Sequence, residues 1–262
     1  MNEITVNDLS FGYADSDKLI LQGVNMHVSE GDFVCLLGQS GCGKSTFLRL
    51  MAGLEVPTSG SICVAGQPVA GTSLERSVVF QDYGLFPWMS AGENIVLALR
   101  QRFPQKSKAE CRAIARQALR DVGLKDEVFG QYPKSLSGGM KQRCAIARSF
   151  SMNPPILLMD EPFGALDAVT RARLQDMVLD LWRHEERKKT VFFVTHDVEE
   201  ALLLATRIVV LGQSPSHVIY EKEIPLEHKP GRKEMYESRF IMDLRNELVE
   251  YINQDVMSHV EE

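Results

Sequence analysis

Residues 38–46, Gly38-Gln39-Ser40-Gly41-Cys42-Gly43-Lys44-Ser45-Thr46, carry the pattern G-x-x-x-x-G-K-[ST], the spacing of a loop that holds a phosphate chain. The glycines let the backbone curl so that several N–H groups converge on phosphate oxygens. A helix starting behind them adds the partial positive charge of its N-terminus. Lys44 is placed to reach β- and γ-phosphates, and the Ser45 hydroxyl to ligate Mg²⁺. A glycine-rich turn that binds nothing would share this composition but not its setting. The apolar run Phe33-Val34-Cys35-Leu36-Leu37 precedes the loop and reads as a buried strand, and residues 47–52 follow it and read as a helix. Strand, loop and helix in that order are what the pattern requires.

Two further groups add chemistry. Ile156-Leu157-Leu158-Met159-Asp160-Glu161-Pro162 is an apolar strand ending in two carboxylates. A carboxylate at a strand tip beside a phosphate loop suits Mg²⁺ held through water, the role expected of Asp160. Glu161, one residue on, is placed to take a proton from an attacking water. Leu136-Ser137-Gly138-Gly139-Met140-Lys141-Gln142-Arg143 opens a helix with Ser137 as its N-cap. Its two glycines leave the first N–H groups uncovered, which makes a second anion-binding helix end. Two such ends in one chain suggest that they meet across a dimer; the alternative is a capped helix with flexible glycines.

The elements that must position these groups are legible from periodicity. Residues 3–9 and 19–28 alternate as antiparallel strands do, and 61–64 and 76–80 read as short strands. Ser90-Ala91-Gly92-Glu93 and Ser107-Lys108-Ala109-Glu110 both fit the capping box S-x-x-E and open helices ending near Arg100 and Val122, with Gly123 as a stop. The basic residues at 100, 102, 106, 108, 112, 116 and 120 in this stretch read mostly as a solvated face. Short apolar strands return at 156–159, 191–194 and 208–211, separated by helical segments at 170–187 and 197–205, the signature of a parallel sheet covered by helices. Residues 217–223 are expected to add a hairpin strand. Tyr236, Phe240, Leu244, Leu248 and Ile252 recur every four positions and mark the face by which a final helix docks on its own domain.

The bulk composition narrows the function classes. A formal net charge of -6 gives no polybasic surface for nucleic acid. No apolar run approaches bilayer-spanning length, and Met1-Asn2-Glu3-Ile4 lacks the regions of a signal peptide, so a cytoplasmic chain is expected. The cysteines at 35, 42, 63, 111 and 144 form no C-x-x-C pair, which argues against a disulfide framework or zinc site. Cys35, Cys63 and Cys144 are expected to pack. Cys42, inside the phosphate loop, is expected to serve through its backbone; a helix N-terminus can lower a thiol pKa, and alkylation of Cys42 is expected to block nucleotide binding.

Taken together, these motifs resemble the ABC transporter ATPase family, from residue 3 to about residue 223. The phosphate loop at 38–46 and the signature L-S-G-G-x-x-Q at 136–142 carry the resemblance, with Asp160-Glu161 as the acidic pair. Gly164-Ala165-Leu166-Asp167 looks like the loop that crosses the dimer interface, Val194-Thr195-His196-Asp197 like the switch-histidine segment, and Gln81 like the hinge glutamine. Tyr13 is placed like the aromatic that stacks on adenine, with Phe11 as the alternative. The resemblance implies an α/β fold, a P-loop NTPase core with a mixed sheet, an N-terminal antiparallel β part and a helical signature subdomain. It implies one ATPase domain over 1–262, the helical subdomain at 82–155 and a C-terminal tail with an amphipathic helix at 224–262.

It also implies ATP and Mg²⁺ as cofactors. Gly38, Gln39, Ser40, Gly41, Cys42, Gly43, Lys44, Ser45 and Thr46 would surround the phosphates. Ser45, Gln81 and Asp160 would serve the metal, and Glu161, His196 and Gln81 the hydrolysis. Ser137, Gly138, Gly139, Gln142 and Asp167 would act on nucleotide held by a second copy of the chain.

Residues 75–82 and 85–88, with the basic stretch 228–232, are similar to importers of nitrate, sulfonates and taurine. That implies an energising subunit on the cytoplasmic face of the membrane, attached through permease subunits and served by an extracytoplasmic binding protein. Trp88, in the apolar segment 85–89, is the expected contact with the permease. An exporter ATPase, or a soluble ABC ATPase of DNA repair or iron–sulfur assembly, is the alternative. The absence of heptads, zinc-type cysteines and a basic surface counts against the soluble class.

Overall fold

The computed structural model describes residues 3–15, 18–164, 166–183, 188–225, 229 and 231–260. In chain order its elements are β1 (Ile4–Gly12), β2 (Leu19–Val28), β3 (Phe33–Leu37), α1 (Lys44–Ala52), β4 (Ser59–Val64), β5 (Gln67–Pro68) and β6 (Arg76–Val79). Then come α2 (Ala91–Arg102), α3 (Lys108–Asp121), α4 (Gly138–Ser151), β7 (Ile156–Asp160), α5 (Ala168–Arg183) and β8 (Thr190–Thr195). The chain closes with α6 (Val198–Leu204), β9 (Arg207–Leu211), β10 (Val218–Glu223) and α7 (Arg239–Val260). It forms two compact units, residues 1–73 with 187–262, and residues 74–186.

In the first unit, β2-β1-β4-β5 make an antiparallel sheet. The two-residue β5 carries no periodicity for a sequence reading to catch. A second sheet has β3 between two parallel neighbours, β8 and β9, with β10 antiparallel on β9. Every residue of β3 and β8 is buried. Strands covered on both faces read as unbroken apolar runs, which is why both were visible in the sequence. Arg207 ties the β9–β10 edge to the turn before β3, pairing with Asp32, Glu221 and Glu223.

The terminal helix α7 docks on this unit through Ile241, Leu244 and Leu248, with the Tyr251 ring 4.6 Å from that of Tyr220. The expected stripe needs one correction: Tyr236 is exposed and lies in a preceding 3₁₀ turn, Glu234–Tyr236, where the helical period does not yet hold.

In the second unit, β6 and β7 pair in parallel, and the connection between them is helical. Both expected capping boxes form. The side chains of Ser90 and Ser107 accept from Glu93 N and Glu110 N, and each glutamate returns a bond to the cap's own N–H. Of the basic residues in this stretch, Arg100, Lys108, Arg112 and Arg120 are exposed, and some make specific contacts. Arg112 and Arg116 lie 5.1 and 4.2 Å from the centre of the Phe129 ring, and Arg102 pairs with Glu75.

Asn94, on the inner face of α2, shapes the loop ahead of that helix. Its Oδ1 accepts from Phe86 N at 2.7 Å, and its Nδ2 donates to the carbonyls of Phe86, Met89 and Ser90 at 3.2, 3.3 and 3.0 Å. Asn94→Ala leaves those groups without their partner, so a loss of about 2–4 kcal/mol is expected in urea unfolding. Faster amide exchange confined to residues 86–90 should accompany it. A loss below about 0.5 kcal/mol, the scale of an ordinary surface substitution, would contradict this role.

Candidate functional site

In the first unit the phosphate loop leaves the end of β3 and turns into α1. Gly41 and Gly43 take left-handed φ values of 86° and 98°, and Gly43 caps the helix. Its φ favours glycine, and a side chain at 43 would crowd Leu21 Cδ2 at 2.9 Å and Ile20 Cγ2 at 3.0 Å. Lys44 is 4% exposed. Its ammonium donates to the carbonyls of Gly38 and Gln39 at 2.8 and 2.7 Å, which centres a positive charge inside the loop. Gln39, Ser40, Gly41 and Ser45 face outward, while Cys42 and Thr46 are buried. The Tyr13 hydroxyl lies 3.3 Å from Thr46 Oγ1 and its ring stands edge-on to Phe11 at 4.9 Å, which places the aromatic against the start of α1.

His196 joins the same sheet edge. β3 and β8 are direct parallel neighbours with Leu37 opposite Thr195, so the phosphate loop and His196 leave adjacent strands at their C-terminal ends. The turn bearing His196 is fixed on both sides. Thr195 Oγ1 accepts from Asp197 N at 3.0 Å, and Asp197 Oδ1 accepts from Glu199 N and Glu200 N at 2.9 and 3.2 Å, capping α6. The histidine itself is exposed.

The second unit repeats that logic. Val79 of β6 stands opposite Met159 of β7, so Gln81 and the pair Asp160-Glu161 emerge at one edge. Glu161 has φ 40°, a left-handed conformation that costs a non-glycine residue about 1–3 kcal/mol and concentrates at functional positions.

At α4, Ser137 accepts from Met140 N at 3.3 Å, the expected cap. It stands about 18 Å along the helix from Ser149, whose hydroxyl contacts the Val78 carbonyl of β6 at 3.5 Å. A Cβ on Gly139 would meet Thr170 Cγ2 at 3.0 Å, so the signature turn lies against the start of α5. There the Asp167 carboxylate accepts from Thr170 N at 3.0 Å, and this bond holds its pKa below the ordinary value. Gln142 is 1% exposed, and neither amide atom has a hydrogen-bond partner among the described residues; as placed, it presents nothing at the surface.

Arg148 was not singled out by motif. Its guanidinium donates to the carbonyls of Tyr83 and Gly84, pinning the turn that follows Gln81. A single charge within the apolar run 144–150 was the available signal. Trp88 is 69% exposed beside Phe86, with ring centres 5.3 Å apart, so the Trp88 ring stays open to solvent.

The Cys42 thiol pKa is raised rather than lowered beside the helix end. The thiol is 3% exposed, and burial raises its pKa more than the neighbouring Lys44 lowers it. Burial of Cys144 pushes its thiol up to about 12. With iodoacetamide at neutral pH, Cys63, the one cysteine that is not buried, should react first. Cys42 should react several-fold more slowly than a free thiol and speed up as pH rises, because only the thiolate attacks. Once added, a group on Cys42 Sγ, which lies 2.8 Å from where a Gly38 side chain would begin, should block nucleotide. Time-resolved peptide mass spectrometry reads these rates; modification of Cys42 at free-thiol speed would contradict the burial argument.

A glycine loop at the C-terminal edge of parallel strands, with a buried lysine at its centre, defines a nucleotide-phosphate-binding α/β protein. Residues 21–164 match the ABC transporter family. The nitrate import ATP-binding protein NrtD of Synechococcus elongatus is 44% identical over 233 residues, 88% of this chain and 84% of the relative. The bicarbonate transport ATP-binding protein CmpD of a Synechocystis species is 41% identical over 252 residues, 95% and 88% of the two chains. Among solved structures, the ATP-binding cassette MJ0796, a dimer in a post-hydrolysis state bound to ADP and Pi, superposes with a TM-score of 0.75 at 31% identity, covering 84% of this chain and 98% of that one. The chain belongs to the ABC transporter family and is one of its ATP-binding, ATP-hydrolysing cassettes. Among the described residues no helix is long and apolar enough to cross a membrane.

Proposed function

We propose that this cassette energises an importer of a small anion such as nitrate, a sulfonate or taurine. Relatives that match most of the chain and are named for nitrate import and bicarbonate transport support this reading. In it, two copies bind two permease subunits at the cytoplasmic face of the membrane, through a surface that includes the exposed Trp88, and an extracytoplasmic binding protein delivers the solute. Residues 82–155 form the helical subdomain of one ATPase domain, followed by a tail at 224–262.

Each residue then has a role. Tyr13 stacks on adenine. The N–H groups of 38–46 and the Lys44 ammonium bind the phosphates. Water attacks the γ-phosphorus as the bond to the bridging oxygen breaks and ADP leaves, and Glu161 takes the proton from that water. His196 and Gln81 orient water and γ-phosphate. The Ser45 hydroxyl, the Gln81 amide and the Asp160 carboxylate are hard oxygen donors that suit Mg²⁺, which when bound supplies charge neutralisation on the phosphates. Ser137, Gly138, Gly139 and Asp167 act on nucleotide held by the other copy. Gln142 does so only after leaving its buried position.

Steady-state phosphate release tests the assignments. Glu161→Gln should bind ATP as the unaltered chain does yet turn over about 10²–10⁴-fold more slowly, the usual contribution of a positioned base. Lys44→Ala should lose binding itself. In mixed dimers of Lys44→Ala with Ser137→Arg, one of the two composite sites keeps both halves intact, whereas neither homodimer keeps any; activity no better than either homodimer would count against the shared site. With permease and binding protein in vesicles, stimulation of ATPase by nitrate, a sulfonate or taurine identifies the solute, and silence with every anion refutes the anion reading.

A further inference from the structure

The phosphate loop is bracketed from behind by one short segment, residues 211–217. On one side a side chain at Gly38 would lie 2.6 Å from the Leu211 carbonyl oxygen, so the first residue of the loop rests directly on the end of β9. On the other side Ser216 is laced into β2, with Ser216 N donating to the Ile20 carbonyl at 2.8 Å and Gln22 N donating to the Ser216 carbonyl at 2.9 Å. Ile20 and Leu21 are the residues that wall Gly43, the far end of the loop. The segment is closed on itself as well: Ser216 Oγ donates to the Gly212 carbonyl at 2.6 Å, and Gly212 N donates to the His217 carbonyl at 3.0 Å. The Gly38 end of the nucleotide loop therefore meets this segment directly, and the Gly43 end meets it through β2.

That turn is held from a distant part of the chain. Asp255 of α7 accepts from Gln213 N at 2.9 Å through Oδ2. Its Oδ1 sits 2.7 Å from where a Gly212 Cβ would be, so the carboxylate fits a space that only glycine leaves. Asp255 lies one helical turn beyond Tyr251 and two beyond Leu248, on the docked face of α7, and its position follows from that docking. The carboxylate is also near enough to the loop that its charge helps raise the Cys42 thiol pKa.

We propose that Asp255 is a positioning residue for nucleotide binding, through which the terminal helix sets the shape of the phosphate loop. It touches no phosphate. It fixes Gln213, Gln213 fixes the 211–217 turn, and the turn fixes the loop at Gly38 and Gly43. This rests on the reading of residues 38–46 as the nucleotide site, and the test separates the two. In the full chain, Kd for Mg-ATP, KM, kcat and the Cys42 alkylation rate are measured for the unaltered protein, Asp255→Ala, Asp255→Asn and Lys44→Ala.

Asp255→Ala should weaken Mg-ATP binding and raise KM about ten-fold, the scale of one lost hydrogen bond, with kcat within two-fold and Cys42 alkylated several-fold faster. Asp255→Asn keeps a carbonyl oxygen to accept from Gln213 N and should restore most of the affinity. If Asp255→Ala does not fold, Gly212→Ala, whose Cβ would crowd the Asp255 carboxylate and Ile219, should shift Kd in the same direction. Wild-type affinity in the folded variant, with unchanged Cys42 reactivity, overturns the proposal. Equal weakening by Ala and Asn would overturn the hydrogen-bond account. Loss of binding in Lys44→Ala beside normal binding in Asp255→Ala would sink this inference alone, whereas normal binding in Lys44→Ala would sink the site.

Discussion

A loop can aim its N–H groups at one point only if it is held open against collapse, and a triphosphate demands that several such groups converge on it at once. Here three sets of contacts make the clamp. Gly38 rests on the end of β9, Gly43 on the side chains of β2, and the Lys44 ammonium ties the loop to itself through the carbonyls of Gly38 and Gln39. Left-handed glycines at 41 and 43 make that curvature possible at little steric cost. The buried parallel strands around β3 supply the rigid base from which the loop departs, and they bring His196 to the neighbouring strand end.

The second unit uses the same arrangement for different chemistry. A parallel strand pair brings Gln81 and Asp160-Glu161 to one edge, and the flanking segments are fixed by single polar side chains, Asn94 within α2 and Arg148 within α4. Glu161 occupies a strained backbone conformation that nothing in strand or helix formation calls for. Strain of this kind persists where the surroundings over-determine it, in keeping with a carboxylate that must point at one place. The signature turn at Ser137 lies against the start of α5, and in the proposed dimer it serves nucleotide held by another copy.

What the sequence made legible was what is encoded locally. The capping boxes at Ser90 and Ser107, the cap at Ser137 and the apolar runs of β3, β7, β8 and β9 all depend on residues within a few positions of one another, and all appear as read. What it hid depends on distant partners. Nothing near Asp255 announces that it meets Gln213, 42 positions away. The thiol of Cys42 shows the same limit: the helix end beside it was visible, but the burial that outweighs it was not. The stripe on α7 was legible as a face but not at its start, because Tyr236 precedes the helix.

The central claim is that hydrolysis uses a site shared between two copies, with Glu161 supplied by one and Ser137 by the other. Sizing with light scattering on Glu161→Gln, with and without Mg-ATP, tests it most directly, since a variant that binds but does not hydrolyse should trap the closed pair. The account predicts conversion of monomer to dimer on adding Mg-ATP, abolished by Ser137→Arg. A protein that demonstrably binds Mg-ATP yet remains monomeric, alone and with its membrane subunits solubilised beside it, would contradict it.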